Sequence, residues 1–228
     1  MLISEVFASI QGEGILSGVP SLFVRTSGCN LRCTWCDTPY TSWNPEGEEW
    51  PLQRIMDWVK SHGTYRHVVL TGGEPLIQPE IGALTRLLRE AGKHITVETA
   101  GTVGPEVECD LMSISPKLAN STPRERGGGR WAATHDRLRI QPDVLRELMG
   151  RCEYQLKFVV AEPTDLGEIV DLTRQLGADA GRVLLMPEGM RPEELRARAR
   201  WLIEECKLRG FRYCPRLHIE VYGDRRGV

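Results

Sequence analysis

The chain has 228 residues, a formal net charge of −2 and 26% charged residues. This length suits one domain, which can bury a large hydrophobic core without disulfide support. The nearly balanced charge argues against a polyanion-binding surface, so no nucleic-acid partner is expected. No apolar run approaches the ~20 residues that span a bilayer, and the first residues lack the basic and apolar parts of a signal peptide. We therefore expect a cytoplasmic protein without a membrane partner.

Hydrophobic periodicity alternates between strand and helix along the chain. A short apolar segment at 2–10 leads into Gln11–Gly14, where two glycines indicate a turn, either an ordinary one or one that approaches a ligand. We predict strands at 21–26, 67–71, 94–99, 111–115, 154–160 and 182–186 with a last one near 217–222, and helices at 51–62, 79–91, 142–149, 164–176 and 192–209. Helical crossovers imply parallel strands. The expected fold is a single α/β domain over 1–228, an abridged or partly open TIM-type (β/α) barrel of about six parallel strands, since the chain is short for eight units.

Residues 119–138 interrupt this alternation. They are polar, contain Gly127–Gly129 and several arginines, and show no periodicity. A stretch of this length is typical of a lid or a mobile loop, so we predict a polar loop insertion.

Three of the seven cysteines lie in the segment Ser27–Thr38, with the spacing Cys29-x3-Cys33-x2-Cys36. The crowding and the odd total indicate metal binding in a reducing compartment. Three thiolates on one loop can hold three irons of a cubic iron–sulfur cluster and leave the fourth iron open. Half of a zinc site is the alternative, but no Cys or His follows before His62 to complete a tetrahedron at short spacing.

The cysteine segment, with Trp35 before its last cysteine, resembles the signature of the radical S-adenosylmethionine (SAM) superfamily. That resemblance implies a 4Fe–4S cluster whose open iron binds SAM, and reductive cleavage of SAM to a 5′-deoxyadenosyl radical. Gly72–Pro75 resembles the motif that contacts the amino group of SAM, because glycines let backbone carbonyls approach and Glu74 offers a negative charge.

A narrower resemblance covers nearly the whole chain. The chain is similar to the 7-carboxy-7-deazaguanine synthase family in 11–14, 18–20, Arg25, 29–38, 71–75, 98–99 and 115–117. The resemblance implies a magnesium-dependent lyase that converts 6-carboxy-5,6,7,8-tetrahydropterin to 7-carboxy-7-deazaguanine with release of ammonia, on the route to queuosine.

The resemblance also implies site residues. Cys29, Cys33 and Cys36 would bind the cluster, Thr38 magnesium, and the substrate would contact Ile10, Gln11, Gly12, Glu13, Arg25 and Thr71. SAM would contact Trp35, Cys36, Asp37, Gly73, Glu74, Ser115, Pro116, Lys117, Met186, Pro187, Glu188 and Gly189, with Trp35 offering its backbone. No catalytic residue is expected beyond cluster and cofactor. The residue types suit these roles. Gln11–Glu13 can form hydrogen bonds with a pyrimidine edge, and Arg25 can form a bidentate pair with a carboxylate. The hydroxyl of Thr38 is a hard ligand of the kind that magnesium binds.

Several of these residues have simpler alternatives. Arg25 suits a structural salt bridge, Thr38 a helix N-cap, Lys157 a partner for Glu98 or Glu153, and 115–117 a plain turn. Cys109, Cys152, Cys206 and Cys214 show no ligand spacing and are expected to be buried as small hydrophobic residues. His135 and His218 are left without a role.

Two other functions compete with the lyase. A glycyl-radical-enzyme activating enzyme shares the cysteine loop, but it does not require a turn such as Gln11–Gly14 that reads a pyrimidine. A non-catalytic zinc module does not require Gly72–Pro75. For the lyase we expect a pterin substrate, a reductant such as flavodoxin or ferredoxin, and a homodimer, since an incomplete barrel leaves strand edges to cover.

Overall fold

The computed structural model describes residues 1–228. The strands are β1 (Leu2–Ile10), β2 (Pro20–Thr26), β3 (Glu48–Glu49), β4 (His67–Gly72), β5 (His94–Thr99), β6 (Leu111–Ile114), β7 (Glu153–Val160), β8 (Val183–Pro187) and β9 (Arg212–Tyr213). The helices are α1 (Pro39–Ser42), α2 (Leu52–Ser61), α3 (Ile81–Glu90), α4 (Ala132–Leu138), α5 (Pro142–Arg151), α6 (Asp165–Leu176), α7 (Pro192–Arg209) and α8 (Leu217–Tyr222).

One sheet of nine strands contains every strand, in the order β3-β1-β2-β4-β5-β6-β7-β8-β9. Seven neighbouring strands pair in parallel: β2, β4, β5, β6, β7, β8 and β9. The remaining strand pairs are antiparallel, because β1 runs antiparallel to both β2 and β3. The two outermost strands, β3 and β9, do not pair with each other, so the barrel stays open. The predicted partial barrel is confirmed, with six parallel strands longer than three residues and the two-residue β9 at one edge.

Side chains alternate across the sheet because successive residues of a strand point to opposite faces. Val68 and Leu70 of β4 and Leu156 and Phe158 of β7 belong to the apolar core, which they share with residues of α2, α3, α5, α6 and α7. The opposite face carries polar side chains in one row: Arg25 is aligned with Thr71, Glu98 with Ser113, and Ser113 with Gln155. The face of the sheet opposite the core therefore presents polar side chains that can bind a polar ligand.

The structure differs from the sequence-based expectation at three places. Leu217–Tyr222 is helix α8 rather than a last strand, and the two-residue β9 pairs with β8 instead. The apolar segment at 2–10 is a strand that forms a hairpin with β2.

The third difference concerns residues 119–138, which are not an irregular loop throughout. Residues 132–138 form α4, and its His135 is buried with a relative exposure of 1%. Its ring nitrogens contact the backbone N–H of Arg32 at 3.1 Å and Ser121 Oγ at 2.8 Å. The segment is thus packed against the cysteine loop, a long-range contact that sequence periodicity does not report.

None of the helices combines the length and the apolar character that crossing a membrane requires.

Candidate active site

A cavity opens at the carboxyl ends of the parallel strands, where ligand sites of α/β folds form. The cysteine loop, the Gln11–Gly14 turn and the ends of β4, β5 and β6 contribute to its wall. Most of the predicted site residues line it: Ile10, Gln11, Gly12, Glu13, Arg25, Cys29, Cys33, Trp35, Cys36, Asp37, Thr38, Thr71, Gly73, Ser115, Lys117 and Met186. The predicted residues outside its lining are Glu74, Pro116, Pro187, Glu188 and Gly189.

Side chains from inside and outside the cysteine loop fix its backbone. Arg32 donates to the carbonyls of Cys29 at 2.6 Å and Leu31 at 2.7 Å. The indole of Trp43 donates to the carbonyl of Cys33 at 2.9 Å, and Arg126 donates to the carbonyl of Thr34 at 2.7 Å. The loop is therefore held in one shape without regular secondary structure.

The three loop thiols fit a polynuclear cluster. No three His, Cys, Asp or Glu side chains converge on a single metal ion, and the thiols instead stand around one cavity. A cubic cluster binds each thiolate to a different iron, so this arrangement suits it. Cys29 Sγ accepts from the N–H of Leu31 at 3.3 Å, and Cys36 Sγ lies 3.2 Å from Ser42 Oγ. Burial raises the pKa of Cys29 and of Cys33 to about 12, because a thiolate is poorly solvated there and the charges of Arg32 and Lys117 offset this only in part.

The Gly72–Pro75 segment lies directly against the cysteine loop. A Cβ on Gly73 would come within 2.2 Å of the Gly28 carbonyl oxygen, so only glycine fits. The Glu74 carboxylate is fully buried and accepts from Thr99 Oγ1 at 2.7 Å and from the N–H of Ala100 at 2.8 Å. Burial raises the pKa of Glu74 despite these donors. In this structure Glu74 joins the end of β5 to the loop after β4 and does not reach the cavity.

The Gln11–Gly14 turn is packed from two sides. The N–H of Leu217 donates to the Gly12 carbonyl at 2.9 Å, and the ring of His218 occupies the space that a Cβ on Gly12 would need. Gln11 donates through Nε2 to Glu98 Oε1 at 3.0 Å. The turn is therefore held between β5 and the first turn of α8, with its side chains at the cavity.

A buried ionic network surrounds Glu13. Its Oε1 accepts from Arg216 Nε at 2.9 Å, and its Oε2 pairs with Lys157 Nζ. Arg216 also donates to Asp37 Oδ2 at 2.6 Å and to the Gly189 carbonyl at 2.7 Å. Burial opposes ionisation of Glu13, but the charges of Lys157 and Arg216 outweigh burial and hold its pKa well below its usual range. The partner of Lys157 is therefore Glu13, not Glu98 or Glu153 as the sequence suggested.

Arg25 and Thr38 stand at opposite ends of the cysteine loop. Arg25 Nε forms an ion pair with Glu5 Oε1 at 2.7 Å, and its guanidinium lies 5.6 Å from the Phe7 ring centre. Since Nε is the only guanidinium nitrogen in that pair, the terminal nitrogens stay free at the cavity. Thr38 precedes α1 without a side-chain capping bond, and its Oγ1 accepts from Thr41 Oγ1 at 3.3 Å.

Two strand ends complete the wall beside the loop. Lys117 Nζ donates to the carbonyl and hydroxyl of Ser115 at 2.9 and 2.8 Å, and it lies 5.9 Å from the Trp35 ring centre. The Trp35 indole donates away from the cavity, to the Asn120 carbonyl at 3.1 Å. Met186 near the end of β8 reaches the cavity, whereas Glu188 after the strand forms an ion pair with Arg198 at 3.3 Å.

Sequence reasoning missed part of the cavity wall. Arg216 and residues 224–228 line it but carry no local motif, and Glu98, Lys157 and His218 were noted without a cavity role. For Lys157 one signal existed, because a lysine inside an otherwise apolar predicted strand indicates a buried charge with a partner. Arg216 lies 203 positions from Glu13, so no local pattern connects them.

Comparison with known proteins agrees with this geometry. The Radical SAM superfamily profile matches residues 23–117, which contain the cysteine loop and the ends of β2, β4, β5 and β6. The 7-carboxy-7-deazaguanine synthase of Rhodopirellula baltica is 48% identical over 229 residues, covering 100% of this chain and 89% of that protein. The enzyme of the same name from Halobacterium salinarum is 44% identical over 232 residues, covering 97% and 90%.

Solved structures share the fold of this chain. The crystal structure of QueE from Escherichia coli superimposes with a TM-score of 0.71 at 29% identity, covering 93% of this chain and 92% of that one. Streptococcus suis SuiB bound to S-adenosylmethionine matches with a TM-score of 0.55 at 14% identity, which shows a shared fold alone.

The fold, the cysteine loop and the profile match define a radical SAM protein. Within that superfamily, the chain belongs to the 7-carboxy-7-deazaguanine synthase family. The superfamily uses a 4Fe–4S cluster with SAM, and the residues described above fit both groups.

Proposed function

We propose that this chain is a lyase that converts 6-carboxy-5,6,7,8-tetrahydropterin to 7-carboxy-7-deazaguanine and ammonia, in queuosine biosynthesis. One observation carries the proposal: the Gln11–Gly14 turn and the cysteine loop line the same cavity. The product plus ammonia accounts for every atom of the substrate, so SAM acts as a catalyst. A glycyl-radical activating enzyme has no use for a buried turn that can read a pyrimidine.

The cluster and SAM would be held by the cysteine loop and the strand ends around it. Cys29, Cys33 and Cys36 would bind three irons, and the bound pair supplies the radical that starts the reaction. Trp35, Asp37 and Gly73 line the same cavity, and their backbone would contact SAM beside the cluster. Ser115, Lys117 and Met186 also line the cavity and would contact the ribose and adenine of SAM. The carboxylates of Glu74 and Glu188 would act indirectly, since protein groups already bind them.

The substrate would lie between the turn and the inner face of the sheet. Gln11 and Glu13 offer hydrogen-bond acceptors to the amino-pyrimidine edge, with the backbone of Ile10 and Gly12 beside them. The terminal nitrogens of Arg25 offer two donors to the carboxylate, and Thr71 is aligned with Arg25 on the neighbouring strand.

Magnesium would bind at Thr38 next to the cluster. The Thr38 hydroxyl is a hard oxygen ligand that lines the cavity, and a magnesium ion there would complete its coordination with water and substrate oxygens. The ion would anchor the substrate carboxylate and stabilise negative charge on it.

Three further properties belong to the proposal. A one-electron donor such as flavodoxin or ferredoxin would reduce the cluster. The two open edges of the sheet favour a homodimer, because unpaired strand edges need cover. An oxygen-sensitive cluster held by reduced cysteines fits the cytoplasm.

Anaerobic reconstitution with iron and sulfide, followed by assay with reductant, SAM, magnesium and the carboxytetrahydropterin, tests the function. We expect a brown cluster and formation of 7-carboxy-7-deazaguanine with stoichiometric ammonia. A protein that binds the cluster and cleaves SAM but leaves the pterin unchanged would contradict the proposed substrate.

A further inference from the structure

Glu13 has an unusual environment for a substrate-binding carboxylate, because each of its oxygens already has its own cation. The Glu13 side chain is 12% exposed, and those of Lys157 and Arg216 are 7% and 6% exposed. Lys157 comes from the middle of β7 and donates to no acceptor other than Glu13. Burying a lysine beside a single carboxylate costs desolvation free energy. This cost indicates that the charge and the position of that carboxylate are needed.

Arg216 connects Glu13 to the other parts of the site. Its three guanidinium nitrogens contact three different elements: Glu13 in the turn, Asp37 in the cysteine loop and the Gly189 carbonyl after β8. Arginine suits this task because its donors form a rigid planar fork. Arg216 is therefore a direct side-chain link between Glu13 and the cysteine loop.

Other charged and titratable groups also face this carboxylate. His218 on α8 lies close to Glu13, Asp37 repels it across Arg216, and Glu98 on β5 and Cys214 lie near Lys157. Burial lowers the pKa of His218, so this ring is neutral at pH 7. Lys157 and Arg216 are thus the two permanent cations that compensate Glu13.

We propose that Lys157 and Arg216 are positioning residues for substrate recognition, which hold Glu13 as an anion against the hydrogen-bond donors of the pterin edge. This inference rests on the proposed function, since it assigns how that substrate is recognised. Each Glu13 oxygen has a second lone pair, which can accept from the substrate while the cation holds the first. The cations touch Glu13 rather than the substrate.

Substrate binding by the full chain, carrying cluster and SAM but no electron donor, tests the proposal without turnover. Anaerobic titration calorimetry with 6-carboxy-5,6,7,8-tetrahydropterin would compare wild type, Lys157→Met, Glu13→Gln and the double variant. We expect Lys157→Met to weaken substrate binding at least ~10-fold at pH 7. A 10-fold loss of affinity corresponds to the same free energy as a shift of one pKa unit in Glu13. In the Glu13→Gln background the same change should weaken binding less than about 2-fold, because contacting residues are non-additive.

The pH dependence gives a second readout that a purely structural role would not change. With Lys157 removed, Glu13 is protonated at a higher pH, so affinity should fall by up to about 10-fold per unit as pH drops. Wild type should show no such added ionisation. Because Lys157 also lowers the pKa of His218, the two variants in the Glu13→Gln background measure the contribution of His218 alone. Equal losses in both Glu13 backgrounds with unchanged pH dependence would overturn the inference.

The controls keep the inference separate from the proposed function. Lys157→Gln, which keeps a hydrogen bond without the charge, is judged by the same cycle if Lys157→Met does not fold by circular dichroism. A wild-type protein that neither binds nor converts the pterin rejects the proposed function. A wild type that does both, with additive cycles for Lys157→Met and for Arg216→Met made in the same two Glu13 backgrounds, rejects only the role of the two cations.

Discussion

Replacing Arg216 with methionine removes the residue that joins three parts of the site, and it should destabilise the fold measurably. Methionine keeps much of the buried apolar stem but none of the donors. Arg216 is 6% exposed, so water cannot replace its bonds to Glu13 and to the Gly189 carbonyl.

The expected loss follows from the three contacts. A hydrogen bond between charged groups contributes ~2 kcal/mol, and that to the buried Gly189 carbonyl ~1 kcal/mol. The contact with Asp37 adds at most ~0.5 kcal/mol, because that carboxylate is 43% exposed. Glu13 retains Lys157, which keeps the total below the upper end of ~5 kcal/mol for breaking a buried pair. We therefore expect a loss of about 3 kcal/mol, which corresponds to a Tm lowered by roughly 6–12 °C in a chain of this size.

Anaerobic urea unfolding of the cluster-free chain, followed by circular dichroism, measures this loss. Arg174→Met is the matched control, since Arg174 is 75% exposed and pairs only with Asp171 on the surface of α6. It should change the free energy of unfolding by less than about 0.5 kcal/mol. An Arg216→Met protein as stable as this control would refute the reasoning and the importance of the ionic network.

Three further predictions follow from other parts of the structure. Cys33→Ala should lose the visible absorption of the reconstituted cluster and all turnover, whereas Cys206→Ala, in the core, should keep both; a brown Cys33→Ala protein would contradict the ligand assignment. Thr38→Ala should lose most of the magnesium stimulation of turnover in a magnesium titration, and unchanged stimulation would remove Thr38 from the metal site. Burial lowers the pKa of His135 to about 4, so the unfolded chain takes up a proton below its ordinary pKa of ~6.5 before the folded one does. Stability should therefore fall by up to about 3 kcal/mol between pH 6.5 and 4 on account of this ring, and urea midpoints of His135→Phe should show a shallower pH dependence; equal slopes would contradict it.

The parallel strands were predicted well because their residues have a high strand propensity and also pack in the core of the sheet. His67–Thr71 and His94–Thr99 are apolar, β-branched runs ended by glycine or by a turn, and they form strands within one residue of the prediction. Leu217–Tyr222 misled the prediction because apolar and polar residues alternate there as in a strand. The position beside β8 is taken by residues 212–213, and the Gly12 carbonyl accepts from the N–H of Leu217 at the first turn of the helix.

The site was predictable as far as its residues form short motifs. Cys29, Cys33 and Cys36 are close in sequence because they share a loop, so their spacing reports their chemistry directly. Arg216 and Lys157 depend on contacts across 203 and 144 positions, which one sequence does not reveal. Glu74 shows the converse case: its motif is visible in the sequence, but its carboxylate is occupied by Thr99 and Ala100.

The span between Glu13 and Arg216 has a consequence during synthesis on the ribosome. The cysteine loop and the ends of β4, β5 and β6 are all complete by Lys117, whereas Arg216 is added 99 residues later. At roughly 5–20 residues per second, the nascent chain spends about 5–20 s with these strand ends made and Arg216 absent. During that interval the contacts of Arg216 with Glu13 and Asp37 are missing, so this link between the turn and the cysteine loop is absent. We therefore expect iron and sulfide to reach the three cysteines more easily before Arg216 is in place than afterwards.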